Sequence, residues 1–188
     1  MCYYILLLCD SIVERKLKMK KIISIILVLC MMISFASCAG DDETPDGMKN
    51  LAGENDAYCF YVPQSWVENK FGTGAYYSTV DTSNIAIAAY SGEDYETSSE
   101  YWEDFKSKVG DISTEFEVIT AEEKKIISER NALQYVYTMT TGGVKYKVQQ
   151  IFVAYSNIMY VITYTATEEN FDSHTEDIQK ILDEFRFK

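Results

Sequence analysis

Leu133, Tyr135, Tyr137 and Met139 alternate with Gln134, Val136 and Thr138, and beyond Gly142-Gly143 the two-residue period returns as Val144, Tyr146 and Val148 against Lys145 and Lys147. Alternation of this kind places successive side chains on opposite faces of a strand, and a Gly-Gly pair supplies the positive φ angles of a tight reversal, so the segment predicts an antiparallel hairpin. After Gln149-Gln150 the apolar parity shifts to Ile151, Val153 and Tyr155, which predicts a β-bulge. Ser156-Asn157 then turns the chain into Ile158, Tyr160, Ile162 and Tyr164, and the three strands form a meander. Upstream, Ala57–Val62, Ala75–Val80 and Asn84–Tyr90 have β-type composition, the first ending at Pro63. Phe116 and Val118 alternate with Glu115 and Glu117, whereas the charged stretch 121–130 is ambiguous and admits a strand through Ile126 and Ile127.

Two segments carry the helical period instead. Thr97 and Glu100 have capping-box spacing, Tyr101, Phe105 and Val109 recur at i, i+4 and i+8 with Trp102 beside them, and Gly110 suits the end. At the far end, Phe171, Thr175, Ile178, Ile181, Leu182 and Phe185 fall on one stripe, with Thr167 as the expected cap and Glu168-Glu169 near the positive end of the helix. Strands and helices together predict an α+β fold, an antiparallel β-sheet covered by helices on its faces, over residues 57–188.

The first part of the chain follows other rules. Lys20-Lys21 precede the apolar run 22–34, and the small residues Ala36 and Ser37 stand before Cys38. This is the order of a secretory signal, and the run is shorter than the ~20 residues a membrane span requires. Phe35-Ala36-Ser37-Cys38 resembles the lipobox of bacterial lipoproteins, with Phe35 departing from the usual aliphatic residue; the resemblance implies acylation at Cys38. Residues 1–37 are therefore expected to be a signal peptide, within which Met19 followed by Lys20-Lys21 looks like a start and 1–18 like a mis-assigned one. Residues 38–56, rich in Gly, Asp and Glu, read as the lipidated cysteine and a flexible acidic tether. Asp42, Thr44, Asp46 and Gly47 mimic part of a calcium loop, but Pro45 interrupts it and Gly53 stands where the bidentate Glu belongs. Of five cysteines, cleavage leaves Cys38 and Cys59, so no intrachain disulfide is expected, and Cys59 in its apolar run reads as a small buried hydrophobe.

Charge narrows the partners. The formal charge is −12, and removing the basic leader leaves −15 on the remainder, a field that repels phosphate backbones and anionic headgroups. Nucleic acid is excluded as a partner on this ground, and membrane attachment falls to the lipid on Cys38.

The residues that carry chemistry are sparse. His174 is the sole histidine and sits at the edge of the terminal helix stripe, without the Gly-x-Ser-x-Gly elbow or clustered ligands of a catalytic or metal site. It is expected beside the core. The carboxylate pairs Asp41-Asp42, Glu122-Glu123 and Glu168-Glu169 read as solvated charge, with helix capping as the account of the last. Tyr76, Tyr77, Tyr135, Tyr137, Tyr146, Tyr155, Tyr160 and Tyr164 could line a binding face or serve as half-buried sheet residues. No catalytic residue, cofactor or metal ligand is assigned.

Three segments, the strand running into Pro63-Gln64-Ser65-Trp66, the late meander ending Tyr160-Val161-Ile162-Thr163-Tyr164-Thr165-Ala166, and the close on Phe185-Arg186-Phe187, resemble the PsbP/DcrB-like α/β/α sandwich family over about residues 57–187. The resemblance implies that fold and a habit of docking to envelope partners. Together these readings lead to a noncatalytic, lipid-anchored, extracytoplasmic module that binds an envelope protein or a small ligand, at the cell membrane or outer surface. The alternatives are a carboxylate-dependent envelope hydrolase and a lipid or metal carrier.

Overall fold

A computed structural model describes residues 44–188 apart from 94 and 96. The expected signal at 1–37, Cys38 and the first residues of the expected tether lie outside the described residues.

Eleven strands and two helices are described in that part of the chain: β1 (Met48–Asn50), β2 (Tyr58–Cys59), β3 (Tyr61–Pro63), β4 (Val67–Glu68), β5 (Gly74–Tyr76), β6 (Asn84–Ser91), α1 (Ser98–Val109), β7 (Glu115–Ile127), β8 (Arg130–Thr141), β9 (Val144–Tyr155), β10 (Ile158–Thr167), α2 (Thr175–Glu184) and β11 (Arg186–Phe187). Seven strands form one antiparallel sheet in the order β4-β5-β6-β10-β9-β8-β7, and β1-β3 and β2-β11 form two short ribbons. The predicted α+β sandwich is thus the observed architecture.

Each face of the sheet has its own core. Ile85, Ile151, Val153, Tyr160, Ile162 and Tyr164 meet Ile178, Ile181 and Leu182 of α2, and the ribbons add Tyr58–Val62 and Phe185 to the same cluster. On the opposite face Tyr135, Tyr137, Val148, Phe152, Met159 and Val161 close around Trp102 of α1, whose ring stacks on Tyr135 at 4.3 Å. The start of α1 is the predicted one: Thr97 accepts from the Glu100 backbone N–H, and the Glu100 side chain returns a bond to Thr97.

Two-sided burial corrects the bulge expected after Gln149-Gln150. The β9 ladder runs without a register shift against both neighbours. Val148 and Phe152 serve the α1 core, Ile151 and Val153 serve the α2 core, and the change of parity records a change in which face is most apolar. The irregularities lie in β7, between Val118 and Thr120 and between Thr120 and Glu123, where Glu122 has a φ of 55°. Beyond them the ambiguous stretch continues as strand to Ile127 and reverses at Ser128-Glu129, both at positive φ.

Four other expectations are corrected. The tether at 38–56 is not unstructured in its described part, because Met48 is buried and pairs with Pro63 in β1 and β3. Asn50 Oδ1 accepts from the backbone of Ala52 and Phe60, which breaks the expected strand 57–62 into β2 and β3. Thr167 ends β10 rather than capping a helix; a 3-10 turn, Phe171–His174, intervenes, and Glu168 pairs with Lys145 at 2.8 Å. The expected strand at 75–80 is confined to Gly74–Tyr76, since Ser78 and Asp81 fold the remainder into a turn.

Trp102 is the single largest contributor to the α1 core, so Trp102→Ala should lower unfolding stability by about 3–5 kcal/mol. Phe71→Ala, at a side chain 95% exposed, should stay within about 0.5 kcal/mol of the parent in the same urea titration.

Candidate functional site

Helix α1 spans 12 residues, on the order of 18 Å, and covers only part of its side of the sheet. Beside its first turn a trough of about 560 Å3 opens, lined by Ser98 of α1, Lys124 and Ile126 of β7, Asn131 and Leu133 of β8, and Phe152 and Ala154 of β9. The volume falls within the ~300–1,000 Å3 of small-molecule sites. Cross-strand register explains the composition. Lys124 pairs with Leu133, Leu133 with Phe152 and Phe152 with Val161, so one row of side chains crosses four strands on the α1 face.

A second hollow of about 340 Å3 shares Ala154 and continues over Met159, Ile158, Asn157, Gly92 and Tyr95. The two hollows adjoin at Ala154 and together reach from the β7 edge to β10, on the order of 14 Å at the spacing of adjacent strands. Its far wall is fixed. The Tyr95 hydroxyl donates to Asp104 of α1 at 2.6 Å, and its ring packs against Tyr90 and Tyr101. Gly92 is required there, because a Cβ would stand 2.7 Å from the carbonyl oxygen of Asn157.

The channel floor is apolar and open. Ile126 is 66% exposed, Ala154 is exposed and Leu133 is half-buried. Among the described residues neither carboxylate, imidazole nor thiol lines either hollow. Of the pair Glu122-Glu123, Glu123 is engaged by Lys125 at 2.9 Å and Gln134 at 2.7 Å, and Glu122 accepts from Ser99 at 3.3 Å. Among the described residues no group of three metal-ligating side chains occurs.

Half of the tyrosines named as a binding face belong to the cores. Tyr135, Tyr137, Tyr160 and Tyr164 are buried in the two cores; Tyr76, Tyr146 and Tyr155 are half-buried, and Tyr77 is exposed. Burial pushes the hydroxyls of Tyr101, Tyr137 and Tyr164 above the usual tyrosine range, which extends their neutral state into alkaline pH. The trough residues Ile126, Leu133, Phe152 and Ala154 were not legible as a site, because each obeys an ordinary strand alternation.

His174 is buried, as expected of a residue beside the core, with Nε2 2.7 Å from Asp81 Oδ2. Its ring packs against Tyr77 at 4.1 Å and edge-on to Trp66, and the Trp66 indole N–H donates to Asp177 at 3.2 Å. Ser83 donates its hydroxyl to Asp81 Oδ1 at 2.6 Å. Serine, aspartate and histidine do come together, but the carboxylate lies between the other two, so the imidazole is not placed to take the serine proton. The cluster is a lock between the β5–β6 loop and the start of α2.

Comparison with solved structures bears on the fold. The cyanobacterial PsbP protein CyanoP from Synechocystis sp. PCC 6803 matches at a TM-score of 0.52 and 12% identity, over 81% of this chain and 98% of that one. The chain has the PsbP-like fold. LpqN, involved in cell envelope biogenesis of Mycobacterium tuberculosis, matches at a TM-score of 0.47 and 12% identity, over 75% of this chain and 90% of that one. PA94, a protein of unknown function from Pseudomonas aeruginosa, matches at 0.48 and 12%, over 71% and 92%. No protein-family model and no curated protein matches the sequence. In the PsbP-like sandwich of this chain, α1 leaves the trough open, while α2 and the two ribbons close over the opposite face.

The Asp81 lock makes stability depend on acid. Burial alone pushes its carboxyl up, but hydrogen bonds from the Ser83 hydroxyl and backbone N–H and from His174 outweigh this and bring it from 3.8 down to about 2. A carboxyl lowered in the folded state stabilises fully above its unfolded value, and the contribution is lost as pH falls from about 4 through about 2. Asp81→Asn should therefore cost roughly 2 kcal/mol at pH 7, and the gap to the parent should narrow in urea titrations below pH 4. A gap that stays constant across that range would contradict the assignment.

Proposed function

We propose that the chain is a noncatalytic cell-envelope lipoprotein, held outside the cytoplasm by acyl chains on Cys38, whose domain binds a small ligand in the trough beside α1. The observation that carries the binding reading is an exposed apolar channel built on rigid sheet rows. Exposed apolar surface in a concave site is costly to a soluble domain unless something covers it. Strand-borne side chains also hold such a site in one shape without a ligand, which lowers the ordering cost of binding.

The anchoring reading is supported by the order of Lys20-Lys21, apolar run, small residues and Cys38. The formal charge of −12 supports it from another side, since an acidic domain gains nothing from anionic headgroups and needs a covalent tether to stay at a membrane.

Two measurements test the two halves separately. Intact mass of the full chain extracted from bacterial membranes should match cleavage before Cys38 plus acyl groups, and Cys38→Ala should abolish both; an unprocessed or unacylated mass would overturn the anchor. For the trough, a chain starting at Thr44 should enhance the fluorescence of the neutral apolar dye Nile red. Ala154→Trp, which fills the channel at an exposed position, should remove that enhancement and leave the unfolding midpoint in place. Equal dye binding by parent and variant would place the ligand site elsewhere.

A further inference from the structure

The rim of the trough carries a cation with no ion-pair partner among the described residues. Along β7, Glu122-Glu123-Lys124-Lys125 should pair by alternation, each Lys with the Glu two residues before it on the same face. Lys125 does so, meeting Glu123 at 2.9 Å. The irregularity between Thr120 and Glu123 breaks the other pair: Glu122, at a φ of 55°, is turned to the Ser99 hydroxyl. Lys124 consequently has no carboxylate within ion-pair distance among the described residues, although the chain carries 29 acidic residues against 17 basic ones. Other sheet lysines are neutralised, Lys145 by Glu168 at 2.8 Å and Lys147 by Asp172 at 3.2 Å.

Lys124 stands at one end of an apolar row. From it the floor runs over Leu133, Phe152 and Ala154 to Met159; Asn131 adds a neutral polar group near the lysine, and the Ser98 hydroxyl reaches Met159 Sδ at 3.9 Å at the other end. We infer that the trough takes a single-chain fatty acid, its carboxylate at Lys124 and its acyl chain laid across β8 and β9 toward Met159. The inference rests on the trough being the ligand site and specifies what fills it.

Charge and shape select this occupant. One unpaired ammonium balances one negative charge, and a dianionic phosphate head would remain uncompensated in the field of a chain with a formal charge of −12. Phosphate recognition also favours the forked donors of arginine, and among the described residues no arginine lines either hollow. The trough, at about 560 Å3, is sized for one acyl chain. Burying apolar chain on Leu133, Phe152 and Ala154 supplies the affinity, while the ammonium fixes the direction of entry.

Washed membranes containing the full chain provide the test. They are irradiated with a diazirine-bearing palmitic acid or with its uncharged methyl ester, and adducts are mapped by peptide mass spectrometry. The acid should label peptides of β7, β8 and β9 around Ile126, Leu133 and Ala154. Lys124→Gln should reduce that labelling about tenfold, the scale of one charge-assisted contact, whereas Lys70→Gln, at an exposed lysine outside the trough, should not. Lys124→Glu should reduce it at least as far, and the ester should label weakly. If acid and ester label the trough equally and Lys124→Gln changes nothing, the acid-specific inference is overturned while the binding reading stands. If neither probe labels the trough, and Nile red binding is also indifferent to Ala154→Trp, both are overturned. Adducts confined to another surface overturn the inference alone.

Discussion

Every residue in the middle of β9 and β10 is claimed by one of two cores, and the rest of the structure depends on that constraint. Between Gln150 and Val153, and between Met159 and Ile162, consecutive side chains are buried, first on one face and then on the other. A strand buried on both faces cannot slip by one residue without exchanging the partners of both cores, which fixes register more firmly than a half-exposed strand can. The uninterrupted ladders of β9 with β8 and β10 are the visible result. Irregularity is displaced to β7, at the edge, where a twist disturbs only one neighbour and discourages pairing with another chain.

The two cores are sealed unequally, and the trough arises from the difference. On the α2 face, the helix shares the work with two ribbons that bring Tyr58–Val62 and Phe185 into the cluster, and β11 returns the end of the chain to β2. On the α1 face the aromatic residues Trp102, Phe105, Phe116, Tyr135 and Tyr137 pack together near the Gly142-Gly143 end of the sheet, and little remains to cover the rows beyond Phe152. Longer coverage would require apolar residues in the segment 91–97, which is polar apart from Tyr95. That tyrosine walls the channel instead of roofing it.

Local rules carried much of the fold and little of the site. The Thr97–Glu100 cap, the Gly142-Gly143 reversal and the Ser156-Asn157 turn each follow from side chains a few residues apart, and each stands where the pattern put it. The parity change at Gln149-Gln150 misled because periodicity reports which positions are apolar and not how many layers cover them. Thr167 misled because a threonine before two glutamates suits a helix cap as well as it suits a strand end whose glutamate pairs with Lys145. The trough was hidden for a different reason. Lys124, Leu133, Phe152 and Ala154 come from three strands, and only the register sets them in adjoining positions. Half of the tyrosines that suggested a binding face are core, since a buried phenol and a surface phenol look alike in sequence.

The same bulge that protects the edge shapes the chemistry of the trough. In a regular β7, Glu122 and Lys124 would lie on one face two residues apart, the spacing at which Glu123 and Lys125 do pair. An ammonium neutralised in this way attracts no ligand, and the channel would be merely apolar. The left-handed backbone at Glu122 removes that neighbour, gives its carboxylate to Ser99 near the start of α1, and leaves Lys124 facing an acidic molecule's own deficit of cations. A backbone irregularity with no bond of its own to any ligand thereby decides the sign of charge at the mouth of the site. It follows that restoring regular strand geometry at Glu122 would silence the charge of the trough without altering a single residue that lines it.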